Sequence, residues 1–330
     1  MEKKIRLGIV GAGRIVARVM TDLHNAHQIE LTAIAGMNRE EAENAARKYG
    51  ARLAFPSFEA MAESDEIDLA YIAIPNPFHE KYACLMMDHG KAVLCEKPAG
   101  LNEQQVMNMT ACARKNGVFW MEAMWTRFMP AVQKMMQVIE EGQIGDVSQI
   151  TAHFSYCPRQ HDENDRVYNL ALGGGALLDL GVYPLMLCTR ILGWEPKAVQ
   201  GYCKMTQGGV DLRTSAQLIY GNGAVAHFFC GMDAVSTNDL FVYGTKGLIR
   251  MPESWHATSF ILERKGEEPE RFTFPPENEG HHYEFDHVAD CLHQGLKASP
   301  EISWEESVAV SRICRQIRHE NGLYYNGEKR

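Results

Sequence analysis

Ile5-Arg6-Leu7-Gly8-Ile9-Val10-Gly11-Ala12-Gly13-Arg14-Ile15-Val16 is the stretch whose reading decides the fold. The apolar run 5–10, stopped by glycines, reads as a buried parallel strand. Helical material follows from Arg14 to about His24. A glycine loop that closes a strand and opens a helix has a specific physical use. Gly11 permits the tight turn, and Gly13 lets the backbone come close to a pyrophosphate. The first amides of the helix, at Arg14 and Ile15, then offer free N–H groups and a positive dipole end. Val16 stands where the third small residue of such a loop is usual, so helix and strand pack less closely. The bland alternative is a plain strand–helix turn.

Outward from the loop, strand and helix alternate. Strands are expected at 30–35, 53–55, 69–74, 92–95 and 118–121, with helices at 39–49, 79–89 and 102–115. Gly50, Gly90 and Gly117 follow the helices as C-terminal stops. This spacing predicts βαβ units in a doubly wound parallel sheet. After about Ala123 the texture changes. A helix at 128–141 precedes long alternating segments at 147–156, 197–206, 215–220, 224–229, 239–243, 248–251, 259–263 and 271–274. Gly208-Gly209, Gly221-Asn222-Gly223 and Gly244-Thr245-Lys246-Gly247 separate several of them. They predict a largely antiparallel sheet, and helices at 282–294 and 304–320 end the chain. The fold class is therefore an α/β domain followed by an α+β domain. We place the first over 1–123 and the second over 124–330.

Composition agrees with this reading. The 330 residues carry a formal net charge of −9, with 45% hydrophobic and 23% charged residues. That length suggests about two domains, and the apolar share excludes an intrinsically disordered chain. An acidic chain without a basic block is a poor nucleic-acid binder. The N-terminal apolar stretch breaks at once into Gly11 and Gly13, too short for a signal-peptide core or a membrane span. Nine cysteines, none in a C-x-x-C pair, sit mostly inside apolar runs. They predict buried thiols of a reduced, cytoplasmic protein rather than a disulfide framework or a zinc site. The densest histidine group, His281-His282 with His287, lacks metalloprotease spacing, so no metal is expected.

Three further stretches carry chemistry. At the end of the second strand, Ala35-Gly36-Met37-Asn38-Arg39 has glycine where an acid would hold the ribose of NAD. Asn38 and Arg39 could instead receive a 2′-phosphate, which favours NADP over NAD. The other reading makes Arg39 a solvated first-turn residue whose neighbours Glu40 and Glu41 repel phosphate. The strand 92–95 runs into Glu96-Lys97-Pro98, at the sheet edge where doubly wound folds bind ligands. Finally, Gly173-Gly174-Gly175 leads into a helix that sets Asp179 and Tyr183 four residues apart on one face. Hydride transfer from an alcohol needs a group to take the hydroxyl proton. Tyrosine can serve if a nearby ammonium lowers its pKa. Asp179 could then hold substrate or orient Lys97. The alternative is a half-buried core tyrosine and a helix-packing acid.

The glycine loop, Ile74-Pro75-Asn76-Pro77-Phe78-His79, Glu96-Lys97-Pro98, the 173–183 block and Tyr243-Gly244-Thr245-Lys246-Gly247 together resemble the Gfo/Idh/MocA oxidoreductases across essentially the whole chain. Met121–Phe128 and Ala171–Tyr183 look most like the branch of dimeric dihydrodiol dehydrogenase and glucose–fructose oxidoreductase. The resemblance implies a Rossmann domain, an open-faced sheet that joins homodimers or homotetramers, and a Lys97–Pro98 peptide that is often cis. It implies Lys97 and Tyr183 as the catalytic pair and Asp179 beside them. Pro75, Asn76, His79, Glu96, Trp125 and Arg127 would contact the cofactor or line its pocket. For His79 the competing reading is a surface residue at a helix start. Phe154, Arg159, Arg166 and Trp255 would face substrate. The implied reaction is hydride transfer between NADP or NAD and a secondary alcohol or ketone of a sugar, polyol or cyclic vicinal diol. Met37 departs from the pattern, because dihydrodiol dehydrogenases place arginine near it for NADP. The resemblance leaves two alternative readings of this chain: a non-catalytic NAD(P)-sensing regulator of the same fold, and an NAD-dependent glycoside-cleaving enzyme.

Overall fold

The computed structural model describes residues 3–158, 165–275 and 279–329. Arg159 lies outside them. The chain divides into two compact units, Met1–Trp125 with Glu277–Val308, and Thr126–Pro276 with Ala309–Arg330.

In the first unit the order is β1 (Ile5–Val10), α1 (Arg14–Met20), β2 (Ile29–Ala35), α2 (Arg39–Tyr49), β3 (Leu53–Phe55), α3 (Phe58–Ala62), β4 (Leu69–Ile72), α4 (His79–Asp88), β5 (Ala92–Glu96), α5 (Glu103–Asn116) and β6 (Trp120–Ala123). Six parallel strands lie in the order β3-β2-β1-β4-β5-β6. The order reverses beside β1, so β1 and β4 flank the switch point where such sheets bind ligands at their carboxyl ends. β4 and β5 are buried along their whole length, as strands covered on both faces must be. Asn38, Ser57 and Asn102 cap α2, α3 and α5 with their side chains. Gly50 and Gly117 end α2 and α5 in the left-handed conformation.

The second unit contains α6 (Pro130–Glu140), β7 (Val147–Ser155), α7 (Val182–Leu192), β8 (Ala198–Met205), β9 (Asp211–Ile219), β10 (Val225–Gly231), β11 (Leu240–Gly244), β12 (Gly247–Met251), β13 (Ser259–Arg264) and β14 (Glu270–Thr273). The eight strands run β14-β13-β12-β11-β7-β10-β9-β8. Every pairing is antiparallel except β7 with β10. Helix α7 packs on β7 and β10 and buries Leu185, Leu187 and Cys188 completely. Each such leucine contributes about 1.5–3 kcal/mol. The run Leu170–Leu192 is long and apolar enough to cross a membrane, but most of it is buried inside the protein, as a core helix is.

Two helices complete the chain, α8 (His282–His293) and α9 (Trp304–Glu320). Here the structure departs from a second domain running unbroken over 124–330, because α8 and the start of α9 belong to the first unit. Phe285 packs edge-on against Tyr71 of β4 at 5.3 Å. Asp22 accepts from the His282 amide at 3.0 Å, and the Trp304 indole donates to the Trp120 carbonyl at 3.0 Å. An amphipathic helix does not state in its own sequence which sheet it covers.

Candidate active site

The glycine loop joins β1 to α1. Gly11 has φ +104°, and a Cβ there would press on the Ala73 carbonyl at 2.7 Å. Gly13 is different. It caps α1 from extended backbone at φ −75°, and a Cβ would meet no atom within 4 Å. Neither packing nor torsion therefore requires glycine at 13. A backbone left uncovered at the start of a helix, where no side chain caps the amides, suits the pyrophosphate of a dinucleotide. Val16 is fully buried at the third position.

At the end of β2 the loop is tightly drawn. A Cβ on Gly36 would meet the Ala42 amide nitrogen at 2.9 Å, so an acid at 36 would force the loop to shift. Asn38 Oδ1 accepts from the Glu41 amide at 2.9 Å, and Glu41 Oε2 accepts from the Met37 amide at 2.8 Å. The Asn38 carbonyl oxygen is thus committed to the helix cap. Arg39 extends into solvent near Glu43, at 3.5 Å.

The turn after β5 is held from several sides. The Lys97–Pro98 peptide is cis. His79 is completely buried, which removes the surface reading. Its Nδ1 meets the Pro98 carbonyl at 3.0 Å and its Nε2 the Ile74 carbonyl at 2.8 Å, so one ring ties the 74–79 segment to the Glu96-Lys97-Pro98 turn. Asn76, in the turn after Pro75, is also buried. Glu96 accepts from the Tyr71 hydroxyl and from the Lys97 amide at 3.2 Å. Glu122 on β6 accepts from the Ala99 amide at 2.9 Å and from the Ser307 hydroxyl at 2.8 Å. Burial pushes the Glu122 carboxyl above its usual range, against those two hydrogen bonds. Trp125 is buried and its ring lies 4.4 Å from that of His281. The other two histidines are also engaged, His282 with Asp22 at 2.9 Å and His287 with Ser299 at 2.7 Å.

In the second unit, Gly173 at φ +70° and Gly175 at φ +124° bring the chain into a π-helical turn, Leu177–Gly181, that runs straight into α7. The sequence predicts a regular helix here. Gly181, at the end of this turn, leaves no room for a Cβ beside Cys230 Sγ of β10, which would lie at 2.7 Å. A π-turn widens the four-residue step between Asp179 and Tyr183. Asp179 pairs with Arg166 at 2.8 Å, so the structure joins two residues the sequence lists separately. Tyr183, 8% exposed, meets the Phe154 ring edge-on at 5.4 Å, and Phe154 stacks on Trp255 at 5.0 Å and 7°. Arg127 is buried in this unit, and its carbonyl accepts from Gln133 at 2.7 Å.

The sequence and the fold have counterparts in known proteins. Residues 5–124 match the oxidoreductase family with an NAD-binding Rossmann fold, and residues 132–250 match the GFO/IDH/MocA C-terminal domain. The chain belongs to the Gfo/Idh/MocA oxidoreductase family. It is 35% identical to trans-1,2-dihydrobenzene-1,2-diol dehydrogenase of Mus musculus over 99% of both chains, and 33% identical to that of Homo sapiens over the same shares. Among solved structures it is similar to KijD10, a 3-ketoreductase from Actinomadura kijaniata in complex with NADP and TDP-benzene. The TM-score is 0.85 and the identity 25%, covering 96% of this chain and 98% of that one. Aldose-aldose oxidoreductase from Caulobacter crescentus shares the fold, with TM-score 0.86 and 23% identity over 97% and 99% of the two chains. The protein is thus an NAD(P)-dependent oxidoreductase.

For a Gfo/Idh/MocA oxidoreductase, several residues that shape these sites escape a sequence reading. Glu122 is a charged residue inside the apolar run Trp120–Ala123, and that misfit is the signal that could have found it. Glu284 on α8 is fully buried, and neither of its carboxylate oxygens has a hydrogen-bond partner among the described residues. It lies 3.9 Å from the His281 ring, and burial, with Glu96 nearby, raises its carboxyl well above the ordinary range. Nothing in its helical pattern marks it.

Proposed function

We propose that this oxidoreductase interconverts a secondary alcohol and a ketone on a sugar, polyol or cyclic vicinal diol, with Tyr183 exchanging the hydroxyl proton and Lys97 assisting it. The observation that carries the reading is Tyr183 itself, a nearly buried phenol against Phe154, set after a glycine loop and four residues on from Asp179, which pairs with Arg166. The first unit would hold the dinucleotide through Gly11, Gly13, Arg14, Ile15, Asn38 and Arg39, with Pro75, Asn76, His79, Glu96 and Trp125 around it, and Arg127 of the second unit would also contact it. The second would take the substrate between Phe154, Arg166 and Asp179. The dinucleotide, when bound, supplies or accepts the hydride. Asp179, already paired with Arg166, would accept a substrate hydroxyl.

The missing acid at Gly36 and the exposed Arg39 favour NADP over NAD. The names of the relatives favour a diol or sugar substrate. A homodimer or homotetramer through the eight-stranded sheet is supported by β8, where Gln200, Tyr202 and Lys204 are exposed in alternation with buried Val199 and Cys203. Nine free thiols favour the cytoplasm.

The test follows absorbance at the reduced-nicotinamide band while crossing NAD and NADP with pentoses, hexoses, inositols and cyclic diols. With a substrate in hand, Tyr183→Phe and Lys97→Met should each lower kcat by at least roughly a hundredfold. Near-wild-type kcat in either would remove the proposed mechanism.

A further inference from the structure

Among the described residues only two that are not glycine adopt left-handed backbone, Asn238 at φ +54° and Glu253 at φ +46°. A side chain makes that conformation costly, and such residues persist where the surrounding structure holds them. The two are adjacent in space. The Asn238 carbonyl accepts from the Ser254 amide at 2.8 Å, and its Nδ2 donates toward Glu253 Oε2 at 3.4 Å. Each also reaches one side of the aromatic stack. Asn238 Oδ1 accepts from the Ser155 amide, next to Phe154, at 2.9 Å. Glu253 Oε2 accepts from the Trp255 indole Nε1 at 3.0 Å.

We infer that Asn238 and Glu253 are positioning residues: together they lock the Trp255 indole parallel to Phe154 and so set the aromatic wall beside Tyr183 that receives the substrate. The substrate part of this rests on the function proposed above. Geometry favours a positioning role over a purely structural one. Glu253 is exposed, so its side chain adds little to the core, and a glycine there would relieve the backbone. What a glycine could not supply is the acceptor for the indole. Trp255 itself is fixed at its carbonyl, where Thr126 Oγ1 donates at 2.5 Å. The carboxylate then holds the edge of the ring, at the indole N–H.

The test compares Glu253→Ala, Glu253→Gln and Glu253→Ala in a Trp255→Phe background. Alanine keeps the left-handed strain and removes only the acceptor, while glutamine retains an acceptor oxygen. The probes are trans-cyclohexane-1,2-diol and D-xylose with NADP, alongside steady-state tryptophan emission. Glu253→Ala should raise KM for the turned-over probe roughly threefold to tenfold, the worth of one hydrogen bond. Its kcat should stay within about twofold, and its emission should differ from wild type. Glu253→Gln should restore both readouts, and in the Trp255→Phe background the alanine should have no further effect. Unchanged emission and KM in Glu253→Ala, or an effect that persists without Trp255, overturns the inference. If the wild type turns over neither probe, the proposed function fails for these substrates, and emission alone decides whether Glu253 holds the indole.

Discussion

Glu328→Gln is the substitution with the largest consequence read directly from the structure. Glu328 lies in the last turn of the described chain, where a substitution would ordinarily count for little. Its carboxylate nevertheless receives both Arg318 Nη1 and Nη2 at 2.9 Å, the Tyr325 amide at 2.8 Å and His319 Nε2 at 3.2 Å. Arg318 is completely buried and lies over the Tyr325 ring at 4.4 Å. Burial works against its charge, but the hydrogen bonds to Glu328 outweigh that and raise its pKa above the ordinary value. Glutamine keeps the shape, removes the charge and turns an N–H₂ toward donors. Breaking a buried pair by removing one partner costs about 3–5 kcal/mol. At ~2–4 °C per kcal/mol, the melting transition of the second unit should fall by roughly 6–20 °C. Calorimetry at neutral pH measures it. The double substitution Arg318→Leu with Glu328→Leu should recover much of the loss, because no unpaired charge is left inside. A Glu328→Gln transition within about 1 °C of wild type would refute the reasoning. So would a double variant that melts below the single one.

Other expectations follow from the same geometry. Gly13→Ala should fold with an unchanged melting temperature yet bind NADP at least roughly tenfold more weakly, read by fluorescence titration, whereas Gly11→Ala should lower the melting temperature itself. Equal NADP affinity in Gly13→Ala and wild type would contradict the role given to that backbone. Tyr325→Phe deletes the hydroxyl that donates to the Gly174 carbonyl at 2.5 Å and should cost about 1–3 kcal/mol in urea unfolding, since a buried acceptor loses its donor. Glu284 supplies a pH dependence. Its folded pKa is raised by burial, so its stabilising contribution is complete below the unfolded value near ~4.3 and is lost as pH rises through the folded value. Glu284→Gln should therefore gain on wild type in melting temperature as pH increases from about 4 toward 9, and parallel profiles would exclude a buried titrating Glu284.

How much of this was legible beforehand depends on the range of the interactions. Helix α2 at Arg39–Tyr49 and strand β3 at Leu53–Phe55 fall where composition and glycine stops place them, because caps and periodicity are local. Helix α3 was missed: five residues are too few to show a helical period. The π-turn at Leu177–Gly181 is not written in the local pattern, which reads as regular helix; Gly181 there has no room for a Cβ beside Cys230, forty-nine positions away. Lys97, Asp179 and Tyr183 were visible as residue types in unusual places. That Asp179 pairs with Arg166 was not, because the partner lies across a loop whose path no local pattern states. His79 shows the same limit. Its two candidate settings differed only in burial, which the sheet decides.

Acidic residues sharpen the point. Asp22 takes the His282 amide, Glu41 the Met37 amide, Glu122 the Ala99 amide, Asp211 the Leu177 amide and Glu328 the Tyr325 amide. Each carboxylate fixes a turn or helix start, and Glu122 and Asp211 fix those next to Lys97 and Asp179. A carboxylate that accepts from backbone N–H groups is committed by geometry, and only one that faces away from its own backbone remains available for substrate. The Asp179 carboxylate accepts from a side chain, that of Arg166 at 2.8 Å, as Asp233 does from Arg213 and Asp239 from Arg250. An arginine can be drawn off by a substrate hydroxyl or phosphate, whereas an amide in a helix cap cannot. Under the proposed function, such a side-chain partner is what would let Asp179 turn to a substrate.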